Sequence, residues 1–241
     1  MKSLDVCLSP DLISLYDLKG KITVAVDILR ATSCITTGIA NGIESIVPFA
    51  SLDDCRAMRA QGYYIAGERG GEKVNDFDIG NSPFSYMEDY LRGEKVAVTT
   101  TNGTQVIDLS SESDEIIIGS FLNITAVAKY LKGKSNDVLI FCAGWKGRVN
   151  LEDTLFAGAL VSMIEKDYVT SDDAVLIAKS LYQEHKLNML GLILKSSHAQ
   201  RLTKFNVNHD IEFCLTKDEY DVVPVMKDGR IQAAWNKKKK L

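Results

Sequence analysis

Over the first 142 residues, short apolar runs rich in Val, Ile and Leu alternate with segments whose apolar positions recur at helical spacing. Bounded by Gly, Pro, Asn and Asp, these runs predict strands over 4–8, 22–27, 45–49, 63–66, 95–100, 115–118 and 137–142, with a last one at 222–226. The intervening segments 32–41, 51–60, 83–91, 103–110 and 123–132 read as short helices. Ser51 ahead of Asp53 and Asp54 caps the second, and Ser82 followed by Pro83 marks the start of the third. Such alternation predicts βα units and an α/β fold: a three-layer sandwich whose largely parallel sheet is covered on both faces. From Asn150 to about Phe213 only helical patterns follow, over 151–165, 171–185, 187–195 and 197–205, with a break at Asn206-Val207-Asn208. No linker, repeat or low-complexity stretch sets this half apart. The expectation is a single domain over 1–241, its residues 150–219 mainly helical cover.

Four of the strands run into polar or glycine-rich groups. These are Asp27-Ile28-Leu29-Arg30-Ala31-Thr32, Gly67-Glu68-Arg69-Gly70-Gly71, Thr99-Thr100-Thr101-Asn102-Gly103-Thr104 and Cys142-Ala143-Gly144. Ligands of open α/β sheets bind beyond the carboxyl ends of the strands, so the four groups point to one shared site. Asp27 and Arg30 alone could be an ion pair closing the sheet. Arg30, however, opens a helix that continues with Thr32, Ser33, Thr36 and Thr37, and a guanidinium beside hydroxyls and free N–H groups suits phosphate or sulfonate oxygens. The stretch from Glu68 to Ile79 reads as a long loop over the site. An N-cap accounts for one or two residues of the run Thr99 to Thr104, and cradling an oxyanion accounts for all of it. Neither a Walker loop nor a dinucleotide fingerprint is present. Glu152 and Asp153 open a helix that is apolar on every face. Acidic residues there ordinarily complement the helix dipole. Close behind Gly144, they would also face the same site as Asp27 and Glu68, a hard-oxygen set that suits Mg²⁺.

Composition narrows the classes. The 241 residues are 46% hydrophobic, and 28 Lys and Arg against 32 Asp and Glu give a net charge of −4. Four of the lysines fall in the tail Lys237 to Lys240, which reads either as a solvated, frayed end or as an added extension. The rest is therefore more acidic than the total, which argues against nucleic acid as a partner. No apolar run approaches the ~18 residues that span a bilayer, and the start lacks the order of a signal peptide, so a cytoplasmic protein without membrane contact is expected. The five cysteines are odd in number and scattered, with no Cys/His cluster of zinc type. The sequence does not fix the oligomeric state; a homodimer is one of the assemblies it allows.

Taken in order, Val26-Asp27-Ile28-Leu29-Arg30-Ala31-Thr32, Gly67 to Gly71, Asp78-Ile79-Gly80-Asn81-Ser82-Pro83, Thr100 to Thr104, Cys142-Ala143-Gly144 and Leu151-Glu152-Asp153 closely resemble the 2-phosphosulfolactate phosphatases. The resemblance runs through nearly the whole chain. It extends, less distinctively, to Ser197-His198, Asp210-Ile211 and Val223-Pro224. It implies a Mg²⁺-dependent hydrolase that takes phosphate from 2-phospho-3-sulfolactate and leaves 3-sulfolactate, a step of coenzyme M synthesis in methanogens. Family members also occur in bacteria that do not make that coenzyme, so the reaction type is better fixed than the substrate. One departure is Ser33-Cys34, where the family usually carries hydroxyls.

Residues and resemblance together give an expected site. Asp27, Arg30, Glu68 and Arg69 are the catalytic candidates, and Asp27, Glu68, Glu152 and Asp153 the candidate Mg²⁺ ligands. Thr32, Asn81, Ser82, Thr100, Thr101, Asn102, Gly103, Thr104 and Gly144 are the candidate contacts to a small anionic phosphoester. Whether Asp27 is ligand, base or nucleophile is left open. Two rival readings stand beside this one. The first is a non-catalytic binding protein for anionic metabolites. The second is a metal-independent cysteine phosphatase, because Cys142 and Arg148 have the Cys-x5-Arg spacing, although Phe141 stands where such enzymes carry a His. Lys146 or Arg148 could lend charge to the sulfonate end. His185, His198 and His209 read as surface or structural, with His198 the one suspected as an acid.

Overall fold

The computed structural model describes residues 2–170, 172–203 and 207–234. Its strands are β1 (Leu4–Cys7), β2 (Lys21–Val26), β3 (Ser45–Pro48), β4 (Tyr64–Arg69), β5 (Glu72–Lys73), β6 (Lys95–Thr99), β7 (Glu115–Gly119), β8 (Asp137–Cys142), β9 (Pro224–Lys227) and β10 (Arg230–Ala233). The helices are α1 (Ala31–Ala40), α2 (Leu52–Ala57), α3 (Gly103–Leu109), α4 (Ile124–Lys132), α5 (Leu151–Ile164), α6 (Asp173–His185), α7 (Met189–Ile193), α8 (Ser197–Leu202) and α9 (Asn208–Cys214). The strands form one sheet in the order β1-β8-β2-β7-β9-β10-β3-β6-β4-β5. Two parallel blocks, β1-β8-β2-β7 and β3-β6-β4, are joined by the antiparallel hairpin β9–β10, and β5 adds an antiparallel edge. The fold is α/β with a mostly parallel mixed sheet, as the sequence pattern predicts.

Alternation along the strands builds two large cores and a smaller one of Cys55, Tyr63, Ile65, Phe77 and Ala97. Ile22, Val24 and Val26 of β2, with Val138 and Ile140 of β8, pack on one face against Leu155, Phe156 and Leu160 of α5 and Val127 and Leu131 of α4. Ala25, Leu139 and Phe141 face the other way, joining Cys34, Ile35 and Ile39 of α1 and Val106 and Ile107 of α3. Helices α1 and α5 are buried on all sides, α1 touching β3, β7, β9 and β10 and α5 lying between β8 and α6. Past its acidic first turn α5 is accordingly apolar on nearly every face, and α1 mixes apolar residues with the small hydroxyl residues Thr32, Ser33, Thr36 and Thr37.

Several expectations change. Residues 83–91 form two 3-10 turns, Pro83–Tyr86 and Asp89–Leu91, rather than a helix. The stretch from Glu68 to Ile79 is not an open loop: Glu68 and Arg69 end β4, which turns at Gly70-Gly71 into β5. The late strand is half of a hairpin whose turn, Asp228-Gly229, has both residues at positive φ (49° and 73°), the geometry that lets two strands reverse tightly. The helical pattern that runs to about Phe213 does not set α9 apart, and the structure does. The tail Lys237 to Lys240, the end of the expected helix 197–205 and Asn206 of the expected break lie outside the described residues. No helix among the described residues is long and apolar enough to cross a membrane.

Candidate active site

The connection from β2 to α1 is fixed by its own hydroxyls. The backbone N–H and Oγ1 of Thr32 both donate to the carbonyl of Asp27, at 3.0 and 2.9 Å, and Ser33 Oγ donates to the carbonyl of Ile28 at 2.9 Å. Asp153, in the first turn of α5, ties this connection to the end of β8: Oδ1 accepts the N–H of Ile28 at 2.9 Å and Oδ2 that of Gly144 at 3.0 Å. The hydroxyls behind Arg30 thus turn inward to hold a loop. Opposite them, Gly103 packs so closely that a Cβ there would lie 2.4 Å from Ala31 Cβ and 2.8 Å from Asp27 Oδ2. The ends of β2 and β6 meet only because that residue has no side chain.

Asp27 is 6% exposed and lines a cleft of about 260 Å³. Its carboxyl is pushed up to about 7, first by burial and then by the carboxylates of Glu68 and Glu152, against the opposing pull of His198 and of the Ala31 N–H. Glu68 clamps two loops, Oε2 accepting from Gly71 N and Oε1 from Thr101 N, both at 2.7 Å. Arg69 donates to the carbonyl of Glu68 at 2.7 Å and to Thr99 Oγ1 at 2.9 Å. Arg30 is charge-balanced by a buried ion pair with Asp210 of α9 and also donates to the carbonyl of Gly71 at 3.2 Å. Ser82 Oγ completes that pair, donating to Asp210 Oδ1 at 3.0 Å.

The structure divides the expected residues into two groups. Asp27, Arg30, Glu68, Arg69, Asn81, Thr101 and Asn102 line the cleft. Thr32, Ser82, Thr100, Gly103, Thr104, Gly144, Glu152 and Asp153 stand behind it as support. Thr100 and Thr104 cap each other, Thr104 N donating to Thr100 Oγ1 at 3.2 Å and Thr104 Oγ1 to the carbonyl of Thr100 at 3.0 Å. Asn81 Oδ1 and Thr101 Oγ1 are buried with no hydrogen-bond partner among the described residues. The remaining wall comes from Leu29, Gly70 and Gly71, from Trp145 and Lys146 beyond β8, and from His198, Arg201 and Leu202 of α8; of these, Lys146 is one of the two cations expected at the sulfonate end and His198 the suspected acid. His198 is buried rather than on the surface, its Nδ1 2.5 Å from Glu152 Oε1 and 3.4 Å from Asn150 Nδ2. Arg201 is stacked on Trp145, 3.7 Å from the ring centroid. Sequence spacing could flag His198, which was singled out, but nothing in the pattern of α8 marks Arg201.

Among the described residues no three His, Cys, Asp or Glu side chains form a ready metal cluster. The four expected carboxylates therefore do not converge as one ligand shell: Asp153 stands behind the cleft with two backbone N–H groups on its oxygens, and Glu152 holds His198. A smaller set fits Mg²⁺, an ion that keeps several waters and takes one or two carboxylates. Asp27 and Glu68 stand on the cleft wall, and Glu152 Oε2 is buried without a partner among the described residues while its charge acts on Asp27. The cysteine alternative fares worse. Cys142 is fully buried in the core, and burial, then the nearby Asp153 carboxylate, push its thiol well above the ordinary range. A nucleophilic cysteine needs the opposite. Arg148 is exposed and does not line the cleft.

The family model for 2-phosphosulpholactate phosphatase matches residues 7–229 of this chain. A protein of Thermotoga petrophila named probable 2-phosphosulfolactate phosphatase is 39% identical over 209 residues, covering 87% of this chain and 90% of its own length. Proteins of the same name from Caldanaerobacter subterraneus and Clostridium beijerinckii are 34% and 32% identical, covering 90% and 95% of this chain and 92% and 98% of theirs. With the strand-end carboxylates, the arginines and the threonine turn in place, the chain belongs to the 2-phosphosulfolactate phosphatase family of phosphoric monoester hydrolases.

Proposed function

We propose that this chain hydrolyses 2-phospho-3-sulfolactate, or a closely similar small anionic phosphomonoester, to phosphate and 3-sulfolactate with Mg²⁺ as cofactor. One observation carries the reading: a single cleft presents Asp27, with its raised proton affinity, opposite three cations, Arg69, Lys146 and Arg201, that form no ion pair among the described residues. A poly-anionic phosphoester matches that charge pattern. Asp27 and Glu68 are the residues that would hold Mg²⁺, which when bound neutralises charge building on the phosphoryl oxygens. Arg69 and the side chains of Thr101, Asn102 and Asn81 orient the phosphoryl group, the positioning on which phosphoryl transfer chiefly depends. Asp27 accepts a proton from the attacking water. The imidazole of His198, oriented by Glu152 and Asn150, returns a proton to the leaving oxygen as the phosphorus–oxygen bond breaks. The five cysteines are all unpaired and buried, which supports a reducing, cytoplasmic setting.

Purified protein assayed on a panel of phosphomonoesters tests the reading. Phosphate release from 2-phospho-3-sulfolactate is expected, lost in excess chelator and restored by Mg²⁺. Full activity in chelator together with complete loss in Cys142→Ser would establish the cysteine mechanism instead. Tight binding of the compound without any release would make the chain a binding protein.

A further inference from the structure

Arg201 is the least satisfied charged group of the cleft. Its guanidinium lies over the Trp145 ring, yet Nη2 is buried with no hydrogen-bond partner among the described residues. Burial lowers the proton affinity of the group, offset only by the more distant carboxylate of Glu152. A buried donor left unmade costs stability, so a persistent one marks a position where a ligand acceptor completes it. The same ring also carries Lys146, whose ammonium is 4.8 Å from the centroid and whose backbone is held at φ 49°, in the left-handed region that a lysine rarely adopts. Two cations from different elements thus share one indole at the mouth of the catalytic cleft. Neither has a carboxylate partner among the described residues. By contrast, Arg30 is balanced by Asp210, and Arg69 is tied to the turn that ends β6.

We infer that Trp145, Lys146 and Arg201 form a subsite for a second anionic group of the substrate, a sulfonate, separate from the place where the phosphoryl group reacts. The inference rests on the phosphatase reading and deepens it by naming the residues that select the substrate. A guanidinium is weakly hydrated and planar, and a stacked one offers donors edge-on, which suits a diffuse oxyanion with three equivalent oxygens. The lysine supplies a mobile point charge from the rim, where it attracts the anion before the deeper arginine engages it. The indole keeps both cations apart and displaces water from one side, which strengthens their attraction for the ligand.

The test compares Arg201→Gln and Lys146→Gln with the unsubstituted protein on three substrates: 2-phospho-3-sulfolactate, 2-phospholactate, which lacks the sulfonate, and 2-phosphooxyethanesulfonate, which lacks the carboxylate. KM for both sulfonated compounds should rise roughly ten- to hundredfold in Arg201→Gln, the range for losing a charge-assisted hydrogen bond, and less in Lys146→Gln. The preference for sulfonated over unsulfonated substrate should collapse accordingly. Lys146 is exposed, so its variant keeps the question open even if Arg201→Gln folds poorly. Losses on 2-phospho-3-sulfolactate and 2-phospholactate that spare 2-phosphooxyethanesulfonate would assign the site to the carboxylate, and equal losses on all three would make Arg201 structural; either overturns the proposal. A second measurement needs no turnover. In a Trp235→Phe background Trp145 is the only tryptophan, and its fluorescence should change saturably on titration with ethanesulfonate, which has no carboxylate, with the midpoint shifted upward in Arg201→Gln. If the protein hydrolyses no phosphosulfolactate but the titration behaves as described, the subsite stands and the assigned reaction fails. If hydrolysis proceeds but ethanesulfonate leaves the fluorescence unchanged, the subsite fails alone.

Discussion

Asp27 shows at the scale of one residue why this site is held under electrostatic tension. Burial and two neighbouring carboxylates raise its proton affinity, so in metal-free protein its carboxyl titrates near 7 instead of in the ordinary range. An acid whose folded-state pKa lies above its unfolded value favours the folded state fully at low pH and loses that contribution as pH rises through the folded pKa. Between about 4 and 7 the metal-free protein should therefore lose stability. Asp27→Asn removes the charge with little change in shape. In chelator it should melt several degrees above the parent protein at pH 8 and at the same temperature below pH 4. Its kcat, in contrast, should fall ~10²-fold or more, because a group acting in the transition state is gone. A folded variant that kept half its activity would remove Asp27 from the mechanism. Arg69→Lys preserves charge but not the fork that joins Thr99 and the Glu68 carbonyl. Its kcat should drop roughly tenfold or more. Arg30→Lys should act chiefly on stability, since Arg30 sits in a buried pair with Asp210.

Among the elements, the contact between the starts of α1 and α3 sets the tolerance of the site. Gly103 leaves no room: an added methyl group would collide with Ala31 Cβ and with the Asp27 carboxylate. Gly103→Ala should cost about 1–3 kcal/mol in urea denaturation, the range for overpacking, and reduce kcat by displacing Asp27. Unchanged kcat in a destabilised variant would show that the helix starts move without the site. This contact also explains what could be read from sequence. Asp27, Arg30, Glu68, Arg69, Thr101 and Asn102 were legible because each ends a strand or comes within four residues of its end, and chain position alone places strand ends together. Thr32, Thr100 and Thr104 were legible as polar but not as structural, since which way a hydroxyl turns depends on packing. Arg201 and Trp145 lie on separate elements far apart in the chain, and only the tertiary fold makes them neighbours. Hairpin β9–β10 carried a local signal, Asp228-Gly229 between apolar runs, that reading a single late strand passed over.

For the molecule as a whole, the position of that hairpin is the decisive fact. Residues 224–233 stand in the middle of the sheet, joining β7 to β3 through the pairs Ile117 with Val225 and Ile231 with Ile46. One parallel block supplies Asp27, Trp145 and Lys146, and the other supplies Glu68, Arg69, Thr101 and Asn102, so the cleft exists only when both are in register. The chain must close contacts between its two ends before the site is complete, which makes folding slow relative to a protein of local contacts. Ile231 is fully buried between α1 and β3, and Ile231→Ala should lower stability by about 2–5 kcal/mol. Activity of the fraction that remains folded should be unaffected, because Ile231 does not line the cleft. A chain ending at Tyr220 lacks both strands and should show neither a cooperative urea transition nor phosphatase activity. Unfolding of Ile231→Ala followed by tryptophan fluorescence and by far-ultraviolet circular dichroism distinguishes one cooperative sheet from two separable blocks. Coincident single transitions are expected; two resolved steps, or an active chain ending at Tyr220, would show that the blocks hold the site without their central hairpin.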